Sequence, residues 1–334
     1  STGTDSSMTH SGLTLANGLS YFISVRATDF AGNLSDTSSS DGIIVDIEVP
    51  MAGSVFDGAG QDEELVYSFT TLESNWSGFS DTVSGIQYYE YAIGTEIDSF
   101  SLVNWTSVGL DTFFIDSNLT LISGETYYVV VKSTDHVGNI SNISSGDGIT
   151  VDLIDPLIGE LYDGSESEDM DWQSSDSTFS LYWSGSDSRE LDDYQYSVGT
   201  APGDTNIAAW TSVSTNTSMI IENVELVEEQ TYYGNVRAED RAGNISDMVS
   251  SDGITIDYSR PVSGSVSDGL SADLVFTGSA DSLSANWTGF SDSISGISNY
   301  EYAIGTTIQG TDVISWVSTG TDSSMTHSGL TLAN

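Results

Sequence analysis

Four aspartates recur in register along this chain. One lies four residues before a proline: Asp46, Asp152 and Asp257. One lies seven residues after it: Asp57, Asp163 and Asp268. One comes after a Trp-containing stretch, at Asp81, Asp187 and Asp292, and one opens an Asp-x-x-Gly-Asn turn, at Asp29, Asp135 and Asp240. Carboxylates gathered in one place repel unless a cation sits among them. Calcium takes about six to eight oxygen ligands, and carboxylates with turn carbonyls supply that kind of ligand. The competing reading is that each is an ordinary turn residue, with Asp capping its own turn and Gly-Asn taking left-handed geometry. Repetition does not separate the two, because every copy needs the same turns.

Other chemistry is hard to assemble. The three histidines are His10, His136 and His327, and none recurs in every repeat. Fifty acids produce carboxylate pairs by chance, so no glycosidase pair can be inferred from their spacing. No Gly-rich phosphate loop comes after a strand. Cysteine is absent, which excludes thiolate metal sites, disulfides and thiol nucleophiles. The expectation is a protein that is not an enzyme. Fifty acids against six bases give a net charge of −44, a field that repels nucleic acid phosphates and anionic membrane surfaces and attracts cations. No apolar run approaches the roughly 18 residues that span a bilayer, so neither nucleic acid binding nor membrane insertion of this segment is expected.

The elements that position these aspartates come in repeats. "YFISVRATDFAGNLSDTSSSDGIIVDIEVP" from Tyr21 returns as "YYVVVKSTDHVGNISNISSGDGITVDLIDP" from Tyr127 and "YYGNVRAEDRAGNISDMVSSDGITIDYSRP" from Tyr232, 106 and then 105 residues further on. A second block recurs from Asn75, Tyr182 and Asn286. A fixed period of about 106 residues marks tandem domains. It predicts the C-terminal part of one domain over 1–52, full domains over 53–158 and 159–263, and the N-terminal part of a domain over 264–334, of the type that 1–52 completes. The seventeen residues Ser1–Asn17 are repeated as Ser318–Asn334. Two readings are open: a window on a longer repeating polypeptide, or half domains that complete each other between chains by strand donation. The first is preferred, because both ends carry the seventeen residues and strand donation leaves one copy over at every joint.

Within a repeat the pattern is β. Leu72, Ser74 and Trp76 alternate with polar neighbours, as do Phe179, Leu181 and Trp183, and Leu283, Ala285 and Trp287. Tyr89, Tyr91 and Ile93 form the next stripe, and Tyr127, Val129 and Val131 another. Turn residues separate the runs every 8–12 residues or so, which predicts an all-β sandwich, and these stripes are expected to be its core.

"LANGLSYFISVRATDFAGNLS" resembles the E–F–G region of a fibronectin type III domain, through Leu15, Gly18, Tyr21, Val25, Ala27, Asp29 and Gly32. The strand-B Trp (Trp76, Trp183, Trp287) and strand-C Tyr (Tyr91, Tyr196, Tyr302) are similar too. "GITVDLIDP" resembles the linkers of bacterial immunoglobulin-like adhesin repeats. The resemblance implies tandem fibronectin type III-like β-sandwich domains in a linear string. No Arg-Gly-Asp motif is present, so animal integrin binding is not carried over.

That arrangement puts the B–C and F–G turns at the end where strand A enters and the preceding domain arrives. The first full junction is then expected to hold Asp46, Asp57, Asp81 and Asp135, and the second Asp152, Asp163, Asp187 and Asp240. Asp257, Asp268, Asp292 and Asp29 hold the corresponding positions in the last and first segments. Ca2+ at these sites would bridge neighbouring domains. Arg26, Lys132 and Arg237 share one outward position on strand F, beside strand C. They are expected to pair with Glu301, Glu90 and, more weakly, the uncharged Gln195. Trp105, Trp210 and Trp316 come after strand C and either pack on the sheet or form a sugar-stacking surface.

The reading is a structural repeat region of a long extracellular or cell-surface stalk or filament, of the bacterial adhesin kind, its partners being neighbouring repeats and an unidentified surface or glycan. Alternatives are a glycan- or surface-binding repeat module and a self-assembling extracellular fibre or sheath.

Overall fold

The computed structural model describes residues 2–331 apart from 98 and 165–167, so the outermost residues of the duplicated seventeen, 1 and 332–334, lie outside the described residues. The chain forms two compact units, Ser1–Asp155 with Asp240–Asn244, and Pro156–Glu239 with Ile245–Asn334. The described residues are all β, without a helix, and no helix is long and apolar enough to cross a membrane.

The first unit begins with β1 (Ser20–Tyr21), β2 (Ser24–Val25), β3 (Ser38–Ser39) and β4 (Ile43–Ile44), paired antiparallel as β1–β4 and β2–β3. A complete sandwich comes next: β5 (Ser54–Asp57), β6 (Leu65–Val66), β7 (Leu72–Ser77), β8 (Ile86–Gly94), β9 (Val103–Gly109), β10 (Phe113–Asp116), β11 (Thr126–Asp135), β12 (Ser144–Ser145) and β13 (Ile149–Val151). One sheet has the order β10-β7-β5; the other runs β6-β13-β11-β8-β9, with β12 on β11. In sandwich letters these are E-B-A facing G-F-C-C′, the fibronectin type III-like arrangement that the sequence resembles.

Alternation decides which side chains fill it. On β7, Leu72, Ser74 and Trp76 are buried; on β8, Tyr89, Tyr91 and Ile93; on β11, Tyr127, Val129 and Val131. Tyr91 stacks on Phe114 with ring centroids 3.9 Å apart, and Trp76 meets Tyr89 edge-on at 5.8 Å. Each large side chain so buried contributes on the order of 1.5–3 kcal/mol, so truncating Trp76 opens a cavity between the sheets.

The second unit repeats the order with β14 (Leu157–Asp163), β15 (Trp172–Gln173), β16 (Thr178–Ser186), β17 (Leu191–Gly199), β18 (Ala208–Ser212), β19 (Ser218–Glu222), β20 (Thr231–Asp240), β21 (Val249–Ser250) and β22 (Ile254–Ile256). Its sheets are β14-β16-β19 and β15-β22-β20-β17-β18, with β21 on β20. Phe179, Leu181, Trp183, Tyr194, Tyr196 and Tyr232 make the equivalent core. The unit closes with β23 (Ser265–Asp268), β24 (Ser282–Thr288), β25 (Tyr300–Ile304), β26 (Ile314–Gly320) and β27 (Ser324–Ser328), as sheets β23-β24-β27 and β25-β26. Between these two sheets lies an open cleft of about 750 Å³, lined by Trp287, Phe290, Tyr300, Tyr302, Trp316 and Met325 among others.

Candidate functional site

The Asp-x-x-Gly-Asn turn is built around its aspartate. Asp135 ends β11 and is fully buried. Its Oδ1 accepts the N–H groups of Val137 at 2.9 Å and Asn139 at 2.8 Å, and its Oδ2 accepts the Asn139 amide at 2.7 Å. Desolvation pushes this carboxyl up, but the hydrogen bonds from Asn139, Val137 and Gly138 together outweigh it and hold it below the ordinary aspartate value. Asp29 repeats the pattern with Ala31 and Asn33, and Asp240 with Asn244.

The B–C turn obeys the same logic. Asp81 Oδ1 accepts three N–H groups, from Val83, Ser84 and Gly85, at 3.1, 2.9 and 2.7 Å. Asp292 does so with Ile294, Ser295 and Gly296, whose hydrogen bonds lower its carboxyl below the ordinary value. Asp187 accepts the Arg189 N–H at 2.6 Å. Each of these aspartates caps its own turn.

The linker aspartates reach further. Asp46 Oδ1 accepts the Glu48 N–H at 3.3 Å, while its Oδ2 accepts the N–H of Ser84, in the B–C turn of the next sandwich, at 3.0 Å. Asp257 repeats this with Ser259 at 3.1 Å and Ser295 at 3.1 Å. A two-bond bridge lies alongside: Met51 and Ser80 exchange N–H···O bonds at 2.8 and 3.1 Å, as Val262 and Ser291 do at 2.7 and 3.2 Å. Carboxylate oxygens of Asp46, Asp81 and Asp135 all lie within 4.8 Å of one another. Two oxygens on one calcium stand at most about 5 Å apart, so the spacing suits that ion, and the hard oxygen donors suit it too.

Asp57 is not in this group. It ends β5, at the other end of the strand from Met51, and lies with Asp62 and Asp147. Asp163 has the same place in the second unit, accepting the Gly253 N–H at 2.9 Å beside Asp169 and Asp252. Asp268 is exposed, its N–H donating to Asp273 at 3.0 Å. Asp152 accepts the Ile154 N–H at 3.1 Å, and its carbonyl accepts the Asn244 amide at 3.2 Å. Sequence reasoning missed Asp62 and Asp147. The signal present in the sequence was a paired Asp-Gly, at 57–58 with 147–148 and again at 163–164 with 252–253.

No family model and no curated protein matches the chain. Solved structures do. The chain is similar to the FN1-FN3 domains of chicken CNTN1, with 18% identity over 69% of this chain and 76% of that one and a TM-score of 0.36. It is also similar to domains A168-A170 from titin, with 16% identity over 71% of this chain and 75% of that one and a TM-score of 0.41.

The bases on the F strand do two things at once. Lys132 lies opposite Glu90 in the β11–β8 register and pairs with it at 3.2 Å. Its Nζ also sits 4.1 Å from the centre of the Trp105 ring. In the second unit, Arg237 donates from Nε and Nη2 to Gln195 Oε1 at 2.9 and 2.7 Å and lies 4.6 Å over Trp210. The uncharged Gln195 thus keeps two hydrogen bonds where an ion pair is lost. Trp105 and Trp210 are half-buried under these cations, while Trp316 is exposed.

Proposed function

We propose that this chain is a structural repeat region of a long extracellular stalk or filament, of the bacterial surface-adhesin kind. Its domains of about 106 residues, 53–158 and 159–263 with the parts on either side, succeed one another through joints that calcium stiffens. The observation that carries this reading is the linker aspartate. Asp46 and Asp257 each cap their own linker and, with the other oxygen, the B–C turn of the next sandwich. A flexible tether has no use for a carboxylate divided in this way, and a fixed joint does. The same group places Asp46 beside Asp81 and Asp135, three charges whose repulsion a divalent cation cancels.

The glycan-binding alternative needs a free Trp face. Lys132 and Arg237 lie over Trp105 and Trp210, which favours the stalk.

The test is thermal unfolding of the chain in calcium and in chelator, with small-angle scattering on the same samples. A calcium-dependent rise in midpoint and maximum dimension, lost in Asp46→Asn and Asp81→Asn, is expected. An unchanged profile removes calcium from the joint and leaves the linker bonds alone to set its stiffness.

A further inference from the structure

A carboxylate in need of a partner lies away from the joint. Asp57 is fully buried. Its Oδ2 accepts the N–H of Gly148 at 2.9 Å. Its Oδ1 is buried and has no hydrogen-bond partner among the described residues. A buried carboxylate oxygen without a donor is disfavoured by much more than an exposed one, and native folds rarely leave one so.

The surroundings deepen the deficit. Asp57, Asp62 and Asp147 each offer a carboxylate oxygen, all within 4.8 Å of one another. Asp62 and Asp147 are exposed and border an open concavity with Ser144 and Ser145. These two carboxylates stand between solvent and the Asp57 carboxyl, within 4.8 Å of it. The backbone is shaped for the cradle. Gly148 has φ +104°, and a Cβ there would stand 2.7 Å from the Tyr128 ring, so only glycine turns its N–H toward Asp57 at this corner. A Cβ at Gly146 would come within 2.6 Å of Asp57 Oδ2 and 2.9 Å of Oδ1. Burial is the main force pushing the Asp57 carboxyl up to about 6, with Asp62, Asp147 and Glu64 adding to it against the Gly148 hydrogen bond.

We propose that Asp57, Asp62 and Asp147 form a second cation site, inside the sandwich and separate from the joint, that takes a divalent oxygen-seeking ion of the calcium type. The buried Asp57 Oδ1 is the fixed ligand, and the two exposed carboxylates close over the ion from the solvent side. Three carboxylates, backbone carbonyls and water make the hard oxygen shell that calcium prefers. Bound there, the ion ties the end of β5 and the loop after it to the β12–β13 corner, and so clamps the two sheets together. The second unit differs at that corner. Ser251 stands where Gly146 does, and although Asp163 Oδ1 is likewise buried without a hydrogen-bond partner, no such close group of three carboxylates surrounds it among the described residues. The inference does not depend on calcium at the joint.

The test is calorimetric titration of calcium chloride into the metal-stripped full chain. Asp62→Asn with Asp147→Asn neutralises two exposed ligands and leaves the core intact. The side-chain amide that Asp62→Asn introduces can still accept the Asp57 N–H through its carbonyl oxygen, a bond of 2.8 Å in the parent chain. Asp81→Asn serves as the joint variant. The double variant is expected to lose one equivalent of calcium, each single change weakening that site by about tenfold or more, while Asp81→Asn leaves it intact. A double variant that folds, by its urea midpoint in chelator, yet takes up calcium with the parent stoichiometry and affinity overturns the inference, and leaves the joint reading standing if Asp81→Asn loses an equivalent. Absence of calcium uptake by the parent chain overturns both.

Discussion

Asp135 and Asp57 are equally buried in the same sandwich, yet they do opposite things with that burial. Asp135 is surrounded by three donors, two backbone N–H groups and an amide, all supplied by the turn that it opens. Asp57 receives one donor from a distant strand corner and faces two like charges. The first carboxylate is held down toward ionisation and the second is pushed up toward its proton. An aspartate that shares a motif with its own turn is held ionised by that turn, whatever else it meets; one buried among acids with a single donor has an oxygen left to satisfy. Acid count and spacing alone cannot tell these apart, whereas the inventory of donors can.

The sharpest way to break this comparison is to neutralise each aspartate with its isostere. Asp135→Asn sets an amide against the donors of its own turn and is expected to destabilise the fold by about 3 kcal/mol in urea denaturation, with and without calcium. Asp57→Asn removes a buried charge that has no donor on Oδ1. In chelator its stability should stay within about 1 kcal/mol of the parent, and the calcium held by Asp57, Asp62 and Asp147 should be lost. Equal losses at both positions would erase the distinction.

Acidity sharpens the contrast by sign. The unfolded carboxyl titrates near about 4, and burial raises Asp57 to about 6 and Asp163 to about 7. Between those values the folded chain binds more protons than the unfolded one, so in metal-stripped buffer their contribution to stability falls as pH rises from about 4 through about 7. Asp135 has a lowered value, so its contribution is present above the unfolded value and is lost as pH falls through the folded one. Unfolding midpoints from about pH 3 to about pH 8 should therefore lose the upper decline, and keep the acid one, in Asp57→Asn with Asp163→Asn. The smallest effect is expected away from both clusters. Lys132→Ala should cost below about 1 kcal/mol and shift Trp105 emission to the red, with calcium uptake unchanged.

Much of this was legible in the sequence. The period-two stripes placed Leu72 and Trp76, Tyr89 and Tyr91, and Tyr127 and Val129 on the inner faces, where they lie. Register on neighbouring strands put Lys132 opposite Glu90. The expected grouping of Asp46, Asp81 and Asp135 depended only on which turns share an end of a sandwich. Asp57 departs from its expected neighbours for a simple reason. Strand A is extended, at about 3.3 Å per residue, so the seven residues from Pro50 to Asp57 carry it on the order of 20 Å from the joint. Val55 and Asp57 both point inward on that strand, which puts a carboxylate in the core stripe. The partners Asp62 and Asp147 come from a loop and a strand corner that are 85 residues apart in sequence, and only the closed sandwich brings them together. The stacking of Lys132 on Trp105 depends on how β9 lies beside β8, a register with an irregularity that alternation does not reveal.

The linker bond has a consequence at the level of inheritance. Asp46 and Asp257 hold Ser84 and Ser295 through identical atoms, and the flanking bridge is the same at both joints. A joint made from one recurring aspartate and backbone N–H and C=O groups depends little on the other side chains a copy carries, and Glu190 stands where Ser84 and Ser295 do in the middle copy. Unequal crossing-over within the coding repeats can then delete or duplicate a whole domain at little cost to the boundary, and the number of domains becomes a trait free to vary.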